Sequence, residues 1–336
     1  MIFSKQIRWY LRIYQHVNKL FIIDISYKDK EIQVIFKTAM LSKEKVKGHM
    51  ALMGANTMWG IMSPVSKILL ATGCITATAL TDVRLIFGTV FFGVTSLFVK
   101  KESIDRKDYI KLFAAAFFSV TLNQILFVNG VSLTSPIDAS ISTSSLPIWT
   151  ILLSAIFLRE RITGSKILGV LFGIAGSFIL IFNGPIQLEL GDTNIYGSLM
   201  CLGSQISYAI YLVFFQDIIK KYSPITLMKW KYLFGAIMLL PFSITTFPKT
   251  DWTEFTSDNW LSLVYILLFG TYFSYMIIPF GQKVHKPTVV AMYNYLQPVY
   301  ATIFAVFVAQ DNLTPIKIVA TLLIFIGVML VNRNYR

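Results

Sequence analysis

Apolar runs of about 20 residues constrain this chain more than any other feature of its sequence. A helix needs about 20 mostly apolar residues to cross a hydrocarbon layer about 30 Å thick. Ten such runs can be counted, near residues 50–70, 77–99, 109–130, 136–158, 166–183, 195–218, 226–246, 260–281, 287–308 and 315–333. The connections between them are short, so the sequence predicts an all-α integral membrane protein with ten transmembrane helices.

The composition agrees with a protein embedded in a bilayer, because 55% of the residues are apolar and 14% are charged. A net charge of +13 can also indicate a nucleic-acid partner. That interpretation needs lysines and arginines on a folded soluble face, and the sequence offers no such face. Cys74 and Cys201 fall in different predicted helices without ligand-like spacing, so we expect neither a disulfide framework nor a metal site.

An internal duplication divides the chain. Shifting the sequence by 151 positions superimposes Gly130 on Gly281, Pro136 on Pro287, Pro147 on Pro298, Thr163 on Thr314, Lys166 on Lys317, Gly176 on Gly327 and Asn183 on Asn334. Earlier in each copy the shift is 147, which places RLIFG at 84–88 opposite KYLFG at 231–235. The sequence therefore predicts two five-helix repeats, at 48–184 and 192–334.

Residues 1–47 precede the repeats and form a basic, mixed segment. They lack the apolar core of a signal peptide, so we interpret them as a cytoplasmic tail. A native start at Met40 or Met50, which would leave the upstream residues outside the working protein, is kept as the alternative.

Five helices per repeat is an odd number, so the second repeat must enter the membrane from the opposite side. With the N-terminus in the cytoplasm, the inner loops, their flanks and the C-terminus hold sixteen cations, Lys100, Lys101, Arg106, Lys107, Lys111, Arg159, Arg161, Lys166, Lys220, Lys221, Lys229, Lys231, Lys283, Lys286, Arg333 and Arg336. The outer loops hold only Lys249 and Lys317. This bias predicts inverted repeats with both termini in the cytoplasm. It also predicts that LRERITGSK at 158–166 is cytoplasmic, while its copy AQDNLTPIK at 309–317 faces outward without arginines.

Three stretches carry a resemblance to a known family: MWGIMSPVSK at 58–67, SLPIWTILLSAIFLRERITGSKILGVLFGIAGSFIL at 145–180, and the second copy ending in NLTPIKIVATLLIFIGVMLV. Over about residues 48–334 the chain resembles the EamA type of the drug/metabolite transporter superfamily. The resemblance implies ten helices in the cell (inner) membrane, both termini cytoplasmic, and alternating access around a central cavity. It does not imply one substrate, because such relatives export or import amino acids, metabolites, sugar phosphates or toxic compounds.

From the resemblance we expect a transporter of small metabolites, amino acids or related compounds, that works as an exporter. The expected partners are a small-molecule substrate and the lipid bilayer, with a homodimer left open and no nucleic acid. No cofactor is expected.

Polar side chains inside membrane helices are costly unless they face other helices or a water-filled path, so they are candidates for the cavity. The candidate cavity residues are Asn56, Trp59, Arg84, Asn123, Gln124, Ser142, Ser145, Gln205, Tyr208, Tyr275, Tyr293, Asn294 and Gln297. Pro147 and Pro298 follow polar clusters at matched positions and are candidates for helix kinks. For both prolines, a purely architectural role in helix packing is an equal alternative.

Arg84 and Lys231 coincide under the 147-residue shift, and both could attract an anion. For Arg84 an ion pair with Asp82 or a neighbour is the alternative, while for Lys229 and Lys231 we favour anchoring at the cytoplasmic interface. The aromatic candidates could form a cage for apolar or cationic groups, although packing is the commoner role of tyrosine in membrane helices. Gly169, Gly173 and Gly176 are spaced as a close helix–helix contact face.

A membrane enzyme is the competing class. The three histidines, His16, His49 and His285, all fall in flanks, and no zinc-protease, nucleophile-elbow or P-loop pattern occurs. We therefore expect no enzyme, and expect any transport to run on a gradient. A receptor or scaffold is the remaining alternative, although inverted repeats favour a transporter because exchanging the two halves gives two states.

Overall fold

The computed structural model describes residues 29–133, 142, 144–182, 195–243, 250, 252–308 and 312–333. Residues 1–46 and 47–336 form two compact units, and the fold given below is that of the second. Several residues used in the sequence predictions lie outside the described part: most of the tail, Pro136, Asn183, Lys249, Asn334 and Arg336.

The described residues form helices and no strands, which confirms the all-α class. In the first half these are α1 (Asp29–Ala71), α2 (Ala77–Thr95), α3 (Arg106–Ala116), α4 (Leu122–Leu133), α5 (Leu146–Phe157) and α6 (Gly164–Phe182). In the second half they are α7 (Ile195–Phe214), α8 (Gln216–Lys221), α9 (Pro224–Ser243), α10 (Ser257–Leu267), α11 (Ser274–Val284), α12 (Pro287–Met292), α13 (Leu296–Phe307) and α14 (Pro315–Arg333).

Within the described ranges, seven helical stretches are long and apolar enough to cross a membrane. They are Ala77–Thr95, Arg106–Phe127, Gly164–Phe182, Ile195–Phe214, Ser257–Val284, Pro287–Phe307 and Pro315–Asn332. Helix α5 is apolar but shorter. A multi-pass membrane protein is thus confirmed, and the count of ten stays a prediction.

Both halves interrupt their third helix in the same way. A π-helical segment, Phe117–Thr121, joins α3 to α4, and a second one, Leu268–Phe273, joins α10 to α11. The first residues of these segments are 151 positions apart, the shift found in the sequence. In each segment a backbone hydrogen bond spans five residues instead of the four of an α-helix. The N–H of Leu122 donates to the Phe117 carbonyl, and the N–H of Ser274 donates to the Phe269 carbonyl. The duplication therefore includes an irregularity of a kind often found at functional sites.

Helices α6 and α14 are equivalent in the two repeats and pack against each other in opposite directions. Ser165 donates to the Leu330 carbonyl at 2.7 Å. A Cβ added at Gly169 would lie 2.7 Å from the Gly327 carbonyl oxygen, and one added at Gly176 would lie 2.5 Å from that of Ala320. As the residue numbers increase along α6 from Ser165 to Gly176, those of their contacts on α14 decrease from Leu330 to Ala320. These two equivalent helices are therefore antiparallel, as inverted repeats require.

The predicted glycine face of α6 is therefore a backbone contact with its own counterpart. On α14 the equivalent positions are larger, and Ile324 fills the space that Gly176 leaves. The two helices therefore contribute differently to the contact, because Ala320 and Ile324 occupy the positions on α14 that match Gly169 and Gly173 on α6.

A second pair of contacts repeats across the halves. A Cβ at Gly54 of α1 would lie 3.2 Å from Ile277 of α11, and a Cβ at Gly203 of α7 would lie 3.2 Å from Leu126 of α4. Because Leu126 and Ile277 are 151 positions apart, the first helix of each repeat packs against the third helix of the other. The first helix of each repeat is therefore packed against the other repeat.

The hairpin before the last helix of each repeat is held by a buried lysine. Lys166 donates to the Arg161 carbonyl at 2.8 Å, and Lys317 donates to the Asn312 carbonyl at 2.9 Å. In the first copy Lys166 also bonds to Glu160 at 2.8 Å. Both lysines are at least nine-tenths buried. The lysine is thus kept in both hairpins for a structural reason, whereas Arg159 and Arg161 are exposed and their loss in the second copy removes no core contact.

Gly176→Ala tests the α6–α14 contact. Its new Cβ would press on the Ala320 backbone, so we expect a loss of about 1–3 kcal/mol of stability, measured as a lower thermal midpoint of the detergent-solubilised protein. Gly93→Ala is the matched control in α2, because a Cβ there meets nothing within 4 Å and removing a helical glycine is neutral or stabilising by up to about 1 kcal/mol. Equal midpoints for the two variants would contradict the packing.

Candidate functional site

A cavity lies between helices of the two repeats. It is a small space, partly open to the surroundings. Its lining comes from both halves: five residues of the first half (Thr81, Arg84, Leu85, Val120 and Gln124 on α2, the first π segment and α4) and three of the second (Tyr232, Leu239 and Tyr275 on α9 and α11). Of the predicted cavity residues, Arg84, Gln124 and Tyr275 are brought together here.

Arg84 is held in this cavity by the second π segment. Its Nε donates to Thr271 Oγ1 at 3.0 Å, and Thr271 in turn donates to the Ile266 carbonyl, five residues back, at 3.0 Å. No salt bridge joins Arg84 to a carboxylate among the residues that the structure describes. The predicted alternative of a pair with Asp82 is therefore not what positions Arg84. A guanidinium without a counter-charge beside open space is a group that can bind an anion.

Aromatic rings form one wall beside Arg84. Trp59 and Tyr275 meet edge to face with ring centroids 5.2 Å apart, and Tyr275 meets Tyr232 in the same manner at 5.5 Å. The Trp59 indole Nε1 donates to the Gly270 carbonyl of the second π segment at 3.1 Å. In the other half, Ser207 of α7 donates to the Phe118 carbonyl of the first π segment at 2.6 Å. The first helix of each repeat thus satisfies a carbonyl in the irregular segment of the other.

Other predicted residues bond within the bundle. Asn56 accepts from Gln297 at 2.9 Å, and this pair links α1 to α13. Asn123 donates to the Ser204 carbonyl at 2.8 Å, and Gln205 donates to the Ser204 hydroxyl at 3.0 Å. The amides of Asn56, Gln297 and Asn123 join helices, whereas that of Gln205 bonds within α7. The place of these residues on a substrate path stays a prediction.

The polar clusters before the matched prolines also bond locally. Ser145 donates to the Ser142 carbonyl at 2.6 Å and accepts from the Trp149 indole at 3.1 Å. Pro147 is the second residue of α5, directly after this turn. In the second copy the 3₁₀ segment Tyr293–Tyr295 separates α12 from α13, which contains Pro298. Helix geometry is thus broken just before each proline.

Tyr208, Tyr293 and Asn294 lie away from the lining given above. The rings of Tyr208 and Tyr211 have centroids 5.6 Å apart. The Tyr293 hydroxyl bonds to His49 Nδ1 at 2.7 Å, and Asn294 is half-buried.

Two residues near the site escaped the sequence predictions, Tyr232 and Thr271, and a third, Lys231, was assigned the wrong role. The interpretation of Lys231 as an interface anchor is wrong, because its side chain is 2% exposed. Helix α9 begins at Pro224, which places Lys231 about two turns inside the bundle. The coincidence of Lys231 with Arg84 under the 147-residue shift already pointed to the alternative role, that of attracting an anion.

At one end of the bundle, charged and polar groups tie the two repeats together. Lys221 pairs with both Asp105 and Asp108, and the Tyr222 hydroxyl donates to Asp108 at 2.7 Å. The Ser223 N–H donates to Glu102 at 3.0 Å. Another pair, Lys111 with Asp217, also joins the halves here. We call these residues the ionic cluster: Glu102, Asp105, Asp108, Lys111, Asp217, Lys221, Tyr222 and Ser223.

Several pKa values are shifted in this cluster, among them those of Glu102 and Lys221. Burial raises the pKa of Glu102, but hydrogen bonds from Ser223 and Thr226 outweigh it, so the net pKa lies below its ordinary value. Hydrogen bonds to Asp105 and Asp108 raise the pKa of Lys221 above its ordinary value. Near neutral pH both groups are therefore held in their charged forms.

At the other end of α2 the equivalent loops meet through apolar side chains. Val65, Leu69, Ile75, Ala79, Leu80, Leu263 and Ile266 form this apolar cluster, with Trp252 and Phe255 packed against it. The loop before α2 matches the loop before α9, and Asn259 matches Asp108 under the 151-residue shift. At one end of the bundle, the loop after α2 and the loop before α9 meet through charged groups. At the other end, the loop before α2 and the loop after α9 meet through apolar side chains.

Comparison with known proteins agrees with this architecture. The EamA-like transporter family matches residues 46–182 and, a second time, residues 195–333. The chain belongs to the EamA-like transporter family. The two matches coincide with the two halves that pack as inverted copies, so the family's duplication is the one visible in the sequence and in the helices.

Relatives of this chain are described as transporters. An uncharacterized transporter of Archaeoglobus fulgidus is 27% identical over 279 residues, which cover 83% of this chain and 96% of the relative. An uncharacterized inner membrane transporter of Salmonella typhimurium is 21% identical, with coverages of 86% and 96%. A WAT1-related protein of Arabidopsis thaliana is 24% identical, with coverages of 86% and 82%.

One solved crystal structure superimposes with a TM-score of 0.70 at 16% identity, covering 87% of this chain and 97% of its own. It shows that the fold is shared. Family and relatives together establish a multi-pass membrane transporter, in agreement with the class expected from the sequence.

The ionic cluster predicts a pH-dependent contribution from Glu102. Because its folded pKa is lowered, the stabilisation is present above the unfolded pKa of about 4.3 and is lost as pH falls through the folded value. We expect the difference in thermal midpoint between the unmodified protein and Glu102→Gln to be largest above about pH 5 and to shrink as the pH falls below about 4. A difference that does not change with pH would contradict this assignment.

Proposed function

We propose that this EamA-like transporter carries small metabolites, amino acids or related amphipathic compounds, through the cavity beside Arg84 by alternating access. The observation that carries the proposal is the position of Arg84, which forms no salt bridge with a carboxylate among the described residues and lines a space between helices of both repeats. Binding sites for small molecules are lined mostly by apolar and aromatic side chains with a few placed polar groups. The lining at Arg84 has this composition, and alternating access would widen the small space between the repeats.

The two kinds of lining suit one kind of substrate. Arg84 offers a planar guanidinium, which can bind a carboxylate through two parallel hydrogen bonds. Tyr232 and Tyr275 offer ring edges and hydroxyls that can contact the remainder of the molecule. We therefore assign the acidic group of the substrate to Arg84 and its apolar part to the tyrosine wall.

Alternating access follows from the unlike ends of α2. A helix of 19 residues is about 28 Å long, so the ionic and apolar clusters lie at opposite ends of one span. We infer that each cluster is a gate, that opening one requires closing the other, and that the two states are related by exchange of the repeats. Ten spans in inverted repeats, with both termini in the cytoplasm, complete this proposal and place the ionic cluster at the cytoplasmic end.

The proposed direction is export, and only the family resemblance supports it. The alternative function is a receptor or scaffold built on the same bundle without transport. Directional flux separates these possibilities.

Arg84→Gln tests the cavity. We expect uptake and efflux of a mixed pool of labelled amino acids and metabolites, measured in proteoliposomes with and without a proton gradient, to identify a carried compound. Its flux should fall about ten-fold or more in Arg84→Gln, because one charge-assisted bidentate contact is worth more than about 1.4 kcal/mol.

Lys220→Gln is the matched control, since this exposed lysine bonds only within its own helix, to Gln216 at 3.2 Å. It should leave flux unchanged. Flux that survives in Arg84→Gln would place the substrate elsewhere. No flux across the pool, with protein shown to be folded, would favour the receptor or scaffold.

A further inference from the structure

A buried lysine on the second helix of the second repeat occupies the position equivalent to Arg84. Lys231 on α9 is 2% exposed, and its Nζ lies 3.9 Å from the centroid of the Tyr211 ring on α7. No carboxylate among the described residues forms a salt bridge with it. A cation–π contact compensates only part of the desolvation of a buried ammonium group.

An unsatisfied donor faces the same tyrosine. Gln282 on α11 is 3% exposed, and its Oε1 accepts from the Tyr211 hydroxyl at 3.4 Å. Its Nε2 is buried near the Tyr208 hydroxyl but meets no acceptor within hydrogen-bond geometry in the described part of the chain. A buried donor left in this way costs about 1–3 kcal/mol. Lys231 and Gln282 are therefore two deficient donors placed around one side chain.

One ligand group would satisfy both donors. An anionic oxygen group accepts hydrogen bonds from an ammonium and from an amide N–H, and it also supplies the missing counter-charge. A neutral group could satisfy Gln282 but not Lys231. The chemistry of the donor pair therefore selects an anion.

Tyrosines connect this place to the cavity. Tyr275 lines the cavity with Arg84, and its ring centroid lies 5.5 Å from that of Tyr232, the neighbour of Lys231 in the chain. The Tyr208 and Tyr211 rings are neighbours, with centroids 5.6 Å apart. A row of phenol groups thus runs from Arg84 on the second helix of one repeat to Lys231 at the equivalent place of the other.

We propose that Lys231 and Gln282 form a second binding station for the carboxylate of an aromatic or other amphipathic organic acid. This rests on the proposed function, since the substrate is taken to leave Arg84 for Lys231 as the repeats exchange states. Arg84 and Lys231 are then two stations of one path, related by the duplication.

The test isolates the second station by removing the first. Purified Arg84→Met protein is heated with phenylacetate or with phenylacetamide, which has a similar shape and no charge. Ligand that binds only the folded state raises the thermal midpoint. We expect phenylacetate, but not phenylacetamide, to stabilise Arg84→Met, and the apparent affinity to fall about ten-fold or more in Arg84→Met/Lys231→Met.

Lys220→Met in the same Arg84→Met background is the control and should retain the phenylacetate response. No response of Arg84→Met to phenylacetate overturns the second station, and so does a response that persists when Lys231 is also replaced. Flux in the unmodified protein is measured separately, so the transport proposal can hold while this inference fails.

Discussion

Inside a bilayer, a polar group that has no partner within the protein has no water to replace it, and this constraint shapes the bundle. The carbonyls of the two π segments accept from Trp59 and Ser207, each on the opposite repeat. Asn56 and Gln297 bond to each other, and Lys317 folds back onto its own hairpin. Against this background the exceptions are informative. Arg84 and Lys231 lack a counter-charge among the described residues, and Gln282 keeps a donor unbonded.

The duplication gives the two repeats equivalent helices and equivalent helix contacts. The proposed function depends on the positions at which the two repeats differ in chemistry. Helices α6 and α14 meet backbone to backbone, and Leu126 and Ile277 fill matched spaces beside Gly203 and Gly54. The loops at the ends of α2 are equally matched in position but opposite in chemistry. A charged gate and an apolar gate respond differently to ionic strength, since salt screens exposed ion pairs and strengthens apolar contact. The same fold can therefore favour one state or the other as conditions change.

The helices, their duplication and their close contacts are predicted well from the sequence, because apolar runs, a fixed shift and small residues at helical spacing can be read directly from it. The close face at Gly169 and Gly176 is one example. Prediction from the sequence fails where the position or partner of a side chain depends on which distant segments meet. Lys231 is predicted at an interface although the predicted span begins within two residues of the start of α9, because the burial of a lysine side chain depends on which distant helices pack around it. The bond from Arg84 to Thr271 joins residues 187 positions apart, and it depends on a π segment for which the sequence gives no signal.

The central claim is that the two ends of the bundle open in turn, and distances between spin labels test it most directly. In protein with Cys74 and Cys201 replaced, one pair of labels at Lys101 and Lys220 reports the ionic end. A second pair at Ala71 and Thr253 reports the apolar end. The account predicts two distance populations at each end, and a carried substrate or a pH step that lengthens one pair must shorten the other. Distances that stay fixed at both ends, or that lengthen together, would contradict alternating access in this protein.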